Sequence, residues 1–248
     1  MEWHDEGLII GVKKFGESSV ILELMTAAHG RHLGLVKGGR SKRMQPVLQP
    51  GNGVNVTWRA RLEDHLGHYA IEATDLRAGQ LMAEAAALHG LNLISSLLRL
   101  LAEREPHEPL FRAAVLVADR LHRPDIAPAL LARFELVMLA ELGFGLDLEA
   151  CAATGTNDDL RYVSPKSGRA VSRAAGEPYR DRLLALPAFL REEEMEAAPE
   201  QSDVCEAFAL AAYFLDRDVF SPRGLTLPDA HAAYIAAMVK AGGVDKSR

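Results

Sequence analysis

The sequence predicts an α+β fold in which a small N-terminal β-barrel is followed by an α-helical domain. Three observations predict it. Short β-branched and aliphatic runs fill the first part of the chain, a helical hydrophobic period begins at Gln80, and a loop-rich stretch interrupts the helices at about residues 150–176. We therefore expect two domains, residues 1–79 and residues 80–248, with an irregular insertion in the second.

The first domain contains five segments with the composition of β-strands, separated by turn sequences such as Ala28-His29-Gly30. In the fourth segment Val54, Val56 and Trp58 alternate with polar residues, which is the period of a half-buried strand. Five short strands suit a closed barrel of the five-stranded oligonucleotide-binding type, because closure removes exposed edges; an open meander is the alternative. The five segments are Gly7–Lys14, Ser18–Thr26, Arg31–Lys37, Gly53–Arg61 and Gly67–Thr74.

The second domain is expected to consist of five helical segments around the insertion. Proline or glycine ends the first three segments, at Pro106, Pro124 and Gly143. Their leucine and methionine stripes are expected to pack in the core rather than to line a cofactor site. The acidic run Glu192–Glu196 is expected to be solvated. The five segments are Gln80–Glu105, Glu108–Leu121, Ala127–Leu142, and about residues 201–216 and 228–241.

Charge is distributed unevenly along the chain. The 248 residues carry a net charge of −6, but residues 1–79 carry +1 and the remainder carries −7. Within the first domain, residues 31–43 hold five basic residues and no acidic residue. Because a bound ligand responds to the local field more than to the total charge, this segment is the candidate site for an anionic partner.

The cysteine content and the N-terminal sequence indicate the compartment. Two cysteines exclude the disulfide framework that is typical of small secreted domains. The first residues, MEWHDEGLII, lack the basic region and the apolar run of a signal peptide. No apolar run approaches the roughly eighteen residues that a membrane span needs. We therefore expect a cytoplasmic protein.

The stretch Gly34–Ser41, GLVKGGRS, comes close to the phosphate-binding loop G-x-x-x-x-G-K-[ST] of nucleotide-using enzymes, with Arg40 in place of the lysine. That loop must lead directly into a helix, whose N terminus supplies amide donors. Here Pro46 and Pro50 follow, and two prolines so close together prevent a helix. The stretch is therefore not expected to bind a nucleotide, and its cations are available to other phosphates.

Several segments, in their order and spacing, resemble the RecO family of bacterial recombination mediators. They are GLIIGVKKFGESSVILELMTAAHGRHLGLVKGGRSKR near the N terminus, LQPGN soon after it, ARFELVMLAELGFGLDLEAC in the third helix, and YVSPKSGRAV in the insertion. The resemblance covers essentially the whole chain. It implies an N-terminal oligonucleotide-binding barrel, a helical domain, and a protein without enzymatic activity or cofactor that acts on DNA in the cytoplasm, at the nucleoid during repair.

The resemblance also implies a function and partners. Members of the family bind single- and double-stranded DNA and anneal complementary strands. Together with RecR they help to load recombinase onto strands coated by single-strand binding protein, whose acidic, phenylalanine-ended tail is a second partner. The alternative is a scaffold that binds proteins of the repair machinery with little direct DNA contact.

On this interpretation, basic residues near the turn after the third strand hold the sugar–phosphate chain without reading its sequence. The alternative is a solvated charged turn. Trp58 and Tyr69 could stack on bases, but so small a barrel needs aromatic residues inside it, so we expect both in the core. The expected DNA-binding residues are Arg31, Lys37, Arg40, Lys42 and Arg43.

An acidic tail that ends in phenylalanine and a free carboxylate needs a cation beside an apolar pocket. Arg133 in the third helix is the first candidate for this cation, and Arg112 and Arg120 are two others. The alternative for Arg133 is a surface arginine that pairs with Glu135 or Asp119.

Some family members carry two Cys-x-x-Cys pairs around the insertion, which would hold a structural zinc ion. Here Cys151 keeps the first position, Thr154 stands at the second, and residues 171–175 read VSRAA. One thiolate cannot hold tetrahedral zinc, so no bound metal is expected. Acidic residues near the barrel, such as Asp64 and Asp75, have the spacing of surface residues on a hairpin rather than of the ligands of a two-metal site. The nucleophile motif G-x-S-x-G is also absent from the sequence. We therefore expect no enzymatic activity.

Overall fold

The computed structural model describes residues 1–191 and 197–245 of the chain. These residues form two compact units, one of residues 1–122 and one that begins at Arg123. The acidic run Glu192–Glu196 lies outside the described residues. Among the residues described, no helix has both the length and the apolar character that crossing a bilayer requires.

The first unit is built on a closed five-stranded barrel with the order β1-β2-β3-β5-β4. All neighbouring strands are antiparallel except β3 and β5, which are parallel. This confirms the predicted barrel of the oligonucleotide-binding type, and the open meander is wrong. The strands are β1 (Glu2–Phe15), β2 (Ser19–Thr26), β3 (Gly30–Val36), β4 (Gly53–Arg59) and β5 (His68–Asp75).

The interior of the barrel is apolar and aromatic. The alternation predicted for the fourth strand holds, since Val54, Val56 and Trp58 are buried and Asn55 is exposed. Trp58 and Tyr69 both belong to the core, which confirms that they fill the barrel rather than face solvent. The indole N–H of Trp58 donates to the carbonyl of Leu66 at 3.0 Å, so its polar atom is satisfied inside the fold.

A segment from the helical part of the first unit covers the free edge of β3. β3 pairs with β5 at Leu35 and His68, and farther along the strand Arg31 forms a bridge with Glu103. The Arg104 N–H donates to the carbonyl of Arg31 at 2.8 Å. At Gly30 a Cβ atom would lie 1.8 Å from the carbonyl oxygen of Glu105, so only glycine allows this close approach.

Three helices complete the first unit: α1 (Ala78–Leu81), α2 (Ala85–Leu98) and α3 (Glu108–Arg120). The prediction of one helix over Gln80–Glu105 is wrong. A Cβ atom placed on Gly51 would lie 3.0 Å from a methyl carbon of Leu81 and 3.0 Å from a methyl carbon of Leu91. Both leucines therefore pack against the same point, beside Gly51. In a continuous helix these two residues would be about 15 Å apart, so the chain has to break between them. The predicted boundary at residue 79 stays a prediction.

The second unit combines helices with a small sheet in the order β7-β6-β8. The stretch predicted to be irregular at 150–176 is therefore partly regular. The elements are α4 (Ala127–Glu141), β6 (Leu160–Val163), β7 (Ala170–Ser172), α5 (Arg173–Gly176), β8 (Leu184–Ala185), α6 (Gln201–Phe214), α7 (Asp229–Asp245), a π-helical turn (Leu215–Phe220), and 3-10 turns at Glu177–Arg182, Ala188–Leu190 and Ser221–Arg223.

The core of the second unit follows the predicted helical stripe. Leu131, Phe134 and Met138 on α4 are almost completely buried. Glu135 on the same helix is also fully buried, and its carboxylate lies 3.5 Å from Nε2 of His231 on α7. Burial raises the pKa of Glu135, although the imidazole of His231 acts in the opposite direction.

A buried histidine makes the stability of the barrel depend on pH. His32 on β3 is 3% exposed, and its Nδ1 lies 2.9 Å from the hydroxyl of Tyr69. Burial, assisted by the nearby charge of Arg104, lowers the pKa of His32 from 6.5 to about 4. Between these two values the unfolded chain binds a proton at His32 that the folded chain does not bind. The free energy of unfolding should therefore fall as the pH falls through this window, by at most about 3 kcal/mol.

The measurement is denaturant unfolding followed by tryptophan fluorescence, because Trp3 and Trp58 both lie in the barrel. Wild type should lose more stability than His32→Gln between about pH 6.5 and pH 4, because the amide does not titrate. Parallel curves for the two proteins would show that His32 does not carry the effect.

Candidate nucleic-acid interface

Residues 37–52 connect β3 to β4 and are called the basic loop here. They form a series of turns, with Ser41 N–H donating to Gly38 at 3.0 Å and Leu48 N–H donating to Met44 at 2.9 Å. No helix begins between residues 37 and 52. The geometry that a nucleotide-binding loop needs is therefore missing, as the prolines predicted.

The inner side of the basic loop is apolar and packs into one end of the barrel. Leu48 is 3% exposed and belongs to the same core cluster as Val20 and Val36, while Met44 packs partly against it. A Cβ atom at Gly39 would lie 2.7 Å from the side chain of Val20, so glycine lets the loop backbone approach the barrel closely. Burial of these groups fixes which side of the loop faces solvent.

Asn52 fixes the end of the basic loop. It is fully buried, and its side-chain N–H groups donate to the carbonyls of Pro46 and Val47, each at 2.9 Å. Its side-chain oxygen accepts from the N–H of Ala78 at 2.9 Å, at the start of α1. Its backbone carbonyl accepts from the N–H of Ile9 on β1 at 2.9 Å. One residue therefore joins the loop, the barrel wall and the first helix.

The outer side of the basic loop carries the predicted cations. Lys37, Lys42 and Arg43 are exposed, and among the described residues none of them pairs with an acidic side chain. Arg40 is exposed too, but its guanidinium donates to the carbonyl of Gly16 at 2.9 Å. The structure thus brings four of the five predicted DNA-binding residues together on one exposed loop.

Arg31, the fifth predicted residue, lies elsewhere. It is on β3, and its side chain is 15% exposed. Its guanidinium pairs with Glu23 at 2.9 Å and with Glu103 at 3.5 Å, and it donates to the carbonyl of Leu101 at 3.0 Å. These partners come from the neighbouring strand and from the segment that covers β3. Arg31 thus makes contacts that join the barrel to that segment.

Two further cations at this end of the barrel were not identified from the sequence. Lys13 and Lys14 are exposed at the end of β1. Lys14 is paired with Val20 on β2, and Val20 is paired with Val36, the last residue before the basic loop. In the sequence they are only two lysines at the end of a predicted strand. The strand order is needed to show that they lie beside the start of the basic loop.

The arginines predicted to bind an acidic tail occupy different units. Arg112 and Arg120 are on α3 of the first unit, and Arg133 is on α4 of the second. Arg112 pairs with Glu6 at 3.1 Å and with Glu108 at 3.6 Å. Arg133 donates to the carbonyl of Phe189 at 3.1 Å through Nε.

Cys151, which stands at the first position of the cysteine pairs found in some family members, is a buried thiol. The backbone N–H of Ser172 donates to Sγ of Cys151 at 3.2 Å, so the sulfur has a partner within the small sheet. In the part of the chain that the structure describes, no three histidine, cysteine or acidic side chains are grouped as a metal site would require. His65 and His68 are both exposed at the hairpin between β4 and β5.

Comparisons with known proteins match the same family along most of the chain. A family model described as Recombination protein O N terminal matches residues 1–76, and one described as Recombination protein O C terminal matches residues 83–226. The DNA repair protein RecO of Methylocella silvestris is 60% identical over 240 residues, which cover 97% of this chain and 97% of that protein. The proteins of the same name from Methylobacterium nodulans and Rhodopseudomonas palustris are 59% and 55% identical, over 95% and 97% of this chain and 97% of each relative.

Proposed function

The chain belongs to the RecO family of DNA repair proteins, and on this premise we propose that it is a DNA-binding recombination mediator rather than an enzyme. It holds single- and double-stranded DNA on the basic loop and anneals complementary strands. With RecR, it assists recombinase loading on strands coated by single-strand binding protein. The role of RecR is proposed from family membership alone. Equal recombinase loading with and without RecR would contradict this role.

The observation that carries the proposal is the two-sided basic loop. Its apolar side is fixed by Leu48 and Asn52, while Lys37, Lys42 and Arg43 face solvent without acidic partners among the described residues. Cations held in this way are free to neutralise phosphates, and contacts to phosphates do not depend on base sequence. Sequence-independent binding is what strand annealing requires.

A second surface is proposed for the tail of the single-strand binding protein. Arg112, Leu116 and Arg120 are four residues apart on α3, so they share one face of the helix, and all three are exposed. An exposed apolar side chain beside Arg120 suits a phenylalanine next to a carboxylate. Arg112 pairs with two acidic side chains, so Arg120 is the principal cation of this surface. Arg133 on α4, the first candidate from the sequence, donates to the carbonyl of Phe189 and is the other cation proposed for this tail.

The salt dependence of DNA binding tests the role of the basic loop. Replacing Lys37, Lys42 and Arg43 together by alanine should reduce the slope of log affinity against log salt for a single-stranded oligonucleotide by about 2, at roughly 0.7 for each phosphate contact. Fluorescence anisotropy over a range of salt concentrations measures this slope, and strand annealing should slow in parallel.

The matched control replaces Lys166, Arg182 and Lys240, which are exposed in the second unit and carry the same total charge. It should leave the slope unchanged. An equal effect of both triple variants would mean that only net charge matters. Wild-type protein that binds no oligonucleotide at low salt would favour the scaffold.

Binding of an acidic peptide tests the surface proposed on α3. Arg120→Ala should weaken binding of a labelled acidic peptide with a C-terminal phenylalanine by about fivefold, since a charge-assisted contact is lost. Arg61→Ala, which removes another exposed arginine of the same unit, is the control and should bind as wild type does. Unchanged affinity of Arg120→Ala together with weakened binding by Arg133→Ala would move the site to α4.

A further inference from the structure

The hairpin between β1 and β2 carries an exposed aromatic side chain. Phe15 is the last residue of β1 and is 51% exposed. Residues 12–15 of β1 are all exposed, whereas Leu22 and Val20, the partners of residues 12 and 14 on β2, belong to the core. Only the Phe15–Ser19 pair lies beyond these core residues, at the tip of the hairpin. Across the hairpin Phe15 pairs with Ser19, which offers it no apolar cover.

The hairpin is attached to the basic loop. The guanidinium of Arg40 donates to the carbonyl of Gly16 at 2.9 Å, and the backbone N–H of Arg40 donates to the carbonyl of Ser18 at 3.0 Å. These two bonds hold the turn that follows Phe15 against the loop that carries the free cations. Arg40 is therefore a positioning residue for the hairpin as well as a source of charge.

The surroundings of Phe15 are cationic. Lys13 and Lys14 precede it on the same strand, and Arg40 lies at the turn after it. Glu17 is the one acidic residue of the turn. A phosphate chain attracted to this surface would bring its bases close to the ring. An aromatic face stacks on any unpaired base, whereas bases in a duplex are already stacked on each other.

We propose that Phe15 is a base-stacking residue of the DNA-binding surface and that it favours single-stranded over double-stranded DNA. The proposal rests on the proposed function, because it assumes that the basic loop holds the phosphate chain. Stacking adds affinity that depends on the bases and leaves the number of phosphate contacts unchanged.

The test compares Phe15→Ala, Phe15→Leu and Phe15→Trp with wild type on three ligands: an oligothymidine strand, an abasic strand of the same length, and a duplex. Phe15→Ala and Phe15→Leu should bind the oligothymidine about tenfold more weakly with an unchanged salt slope. Both should bind the abasic strand and the duplex as wild type does. Phe15→Trp should keep the affinity, because its ring also stacks.

The control is Leu225→Ala, which removes an equally exposed apolar side chain from the second unit and should change nothing. Equal losses on all three ligands, or no loss on the oligothymidine, would overturn the stacking role. Normal binding by Phe15→Ala with a changed oligomeric state would assign the ring to a protein contact instead. The proposed function itself fails only if wild type binds none of the three ligands, which is a separate result.

Discussion

The arrangement of the first unit depends on the hydrogen bonds of the buried Asn52 side chain. The side-chain N–H groups donate to two carbonyls of the basic loop, and the side-chain oxygen accepts from the first N–H of α1. The backbone carbonyl of Asn52 accepts from the N–H of Ile9 on β1. Each of these groups is costly to bury without a partner, at about 1–3 kcal/mol. The loop can therefore keep its apolar side in the barrel and its cations in solvent before any ligand arrives. Such preorganisation lowers the entropic cost of binding.

Ion pairing, rather than the number of basic residues, decides which cations near the barrel keep an acidic partner and which do not. Glu23 accepts from both Arg31 and Arg99, so two arginines near the barrel are committed to holding β2, β3 and the end of α2 together. Lys42 and Arg43 lie only about a dozen residues from Arg31 in the sequence, yet they face solvent. The protein thus has a localised cationic surface although its net charge is negative.

The features that follow from local pattern could be predicted from the sequence. Alternation marked the strands, and the proline pair in the basic loop excluded a helix there. What could not be predicted depends on residues far apart in the chain. Arg31 looked like a free cation because its partners Glu23 and Glu103 come from another strand and from a distant segment. The helix predicted over residues 80–105 breaks because Leu81 and Leu91 both pack beside Gly51. The exposure of Phe15 gains significance only from the hydrogen bond by which Arg40 holds its hairpin.

Amide hydrogen exchange at the hydrogen-bonded N–H groups of the basic loop, such as those of Ser41, Met44 and Leu48, tests most directly the claim that Asn52 preorganises this loop. It should be compared in wild type, Asn52→Ala and Asn55→Ala, the last replacing an exposed asparagine of β4. We expect these amides to be protected in wild type and in Asn55→Ala without DNA, and we expect Asn52→Ala to lose this protection while the amides of the strands keep theirs. Exchange in wild type as fast as in an unfolded chain, or equal protection in all three proteins, would contradict it.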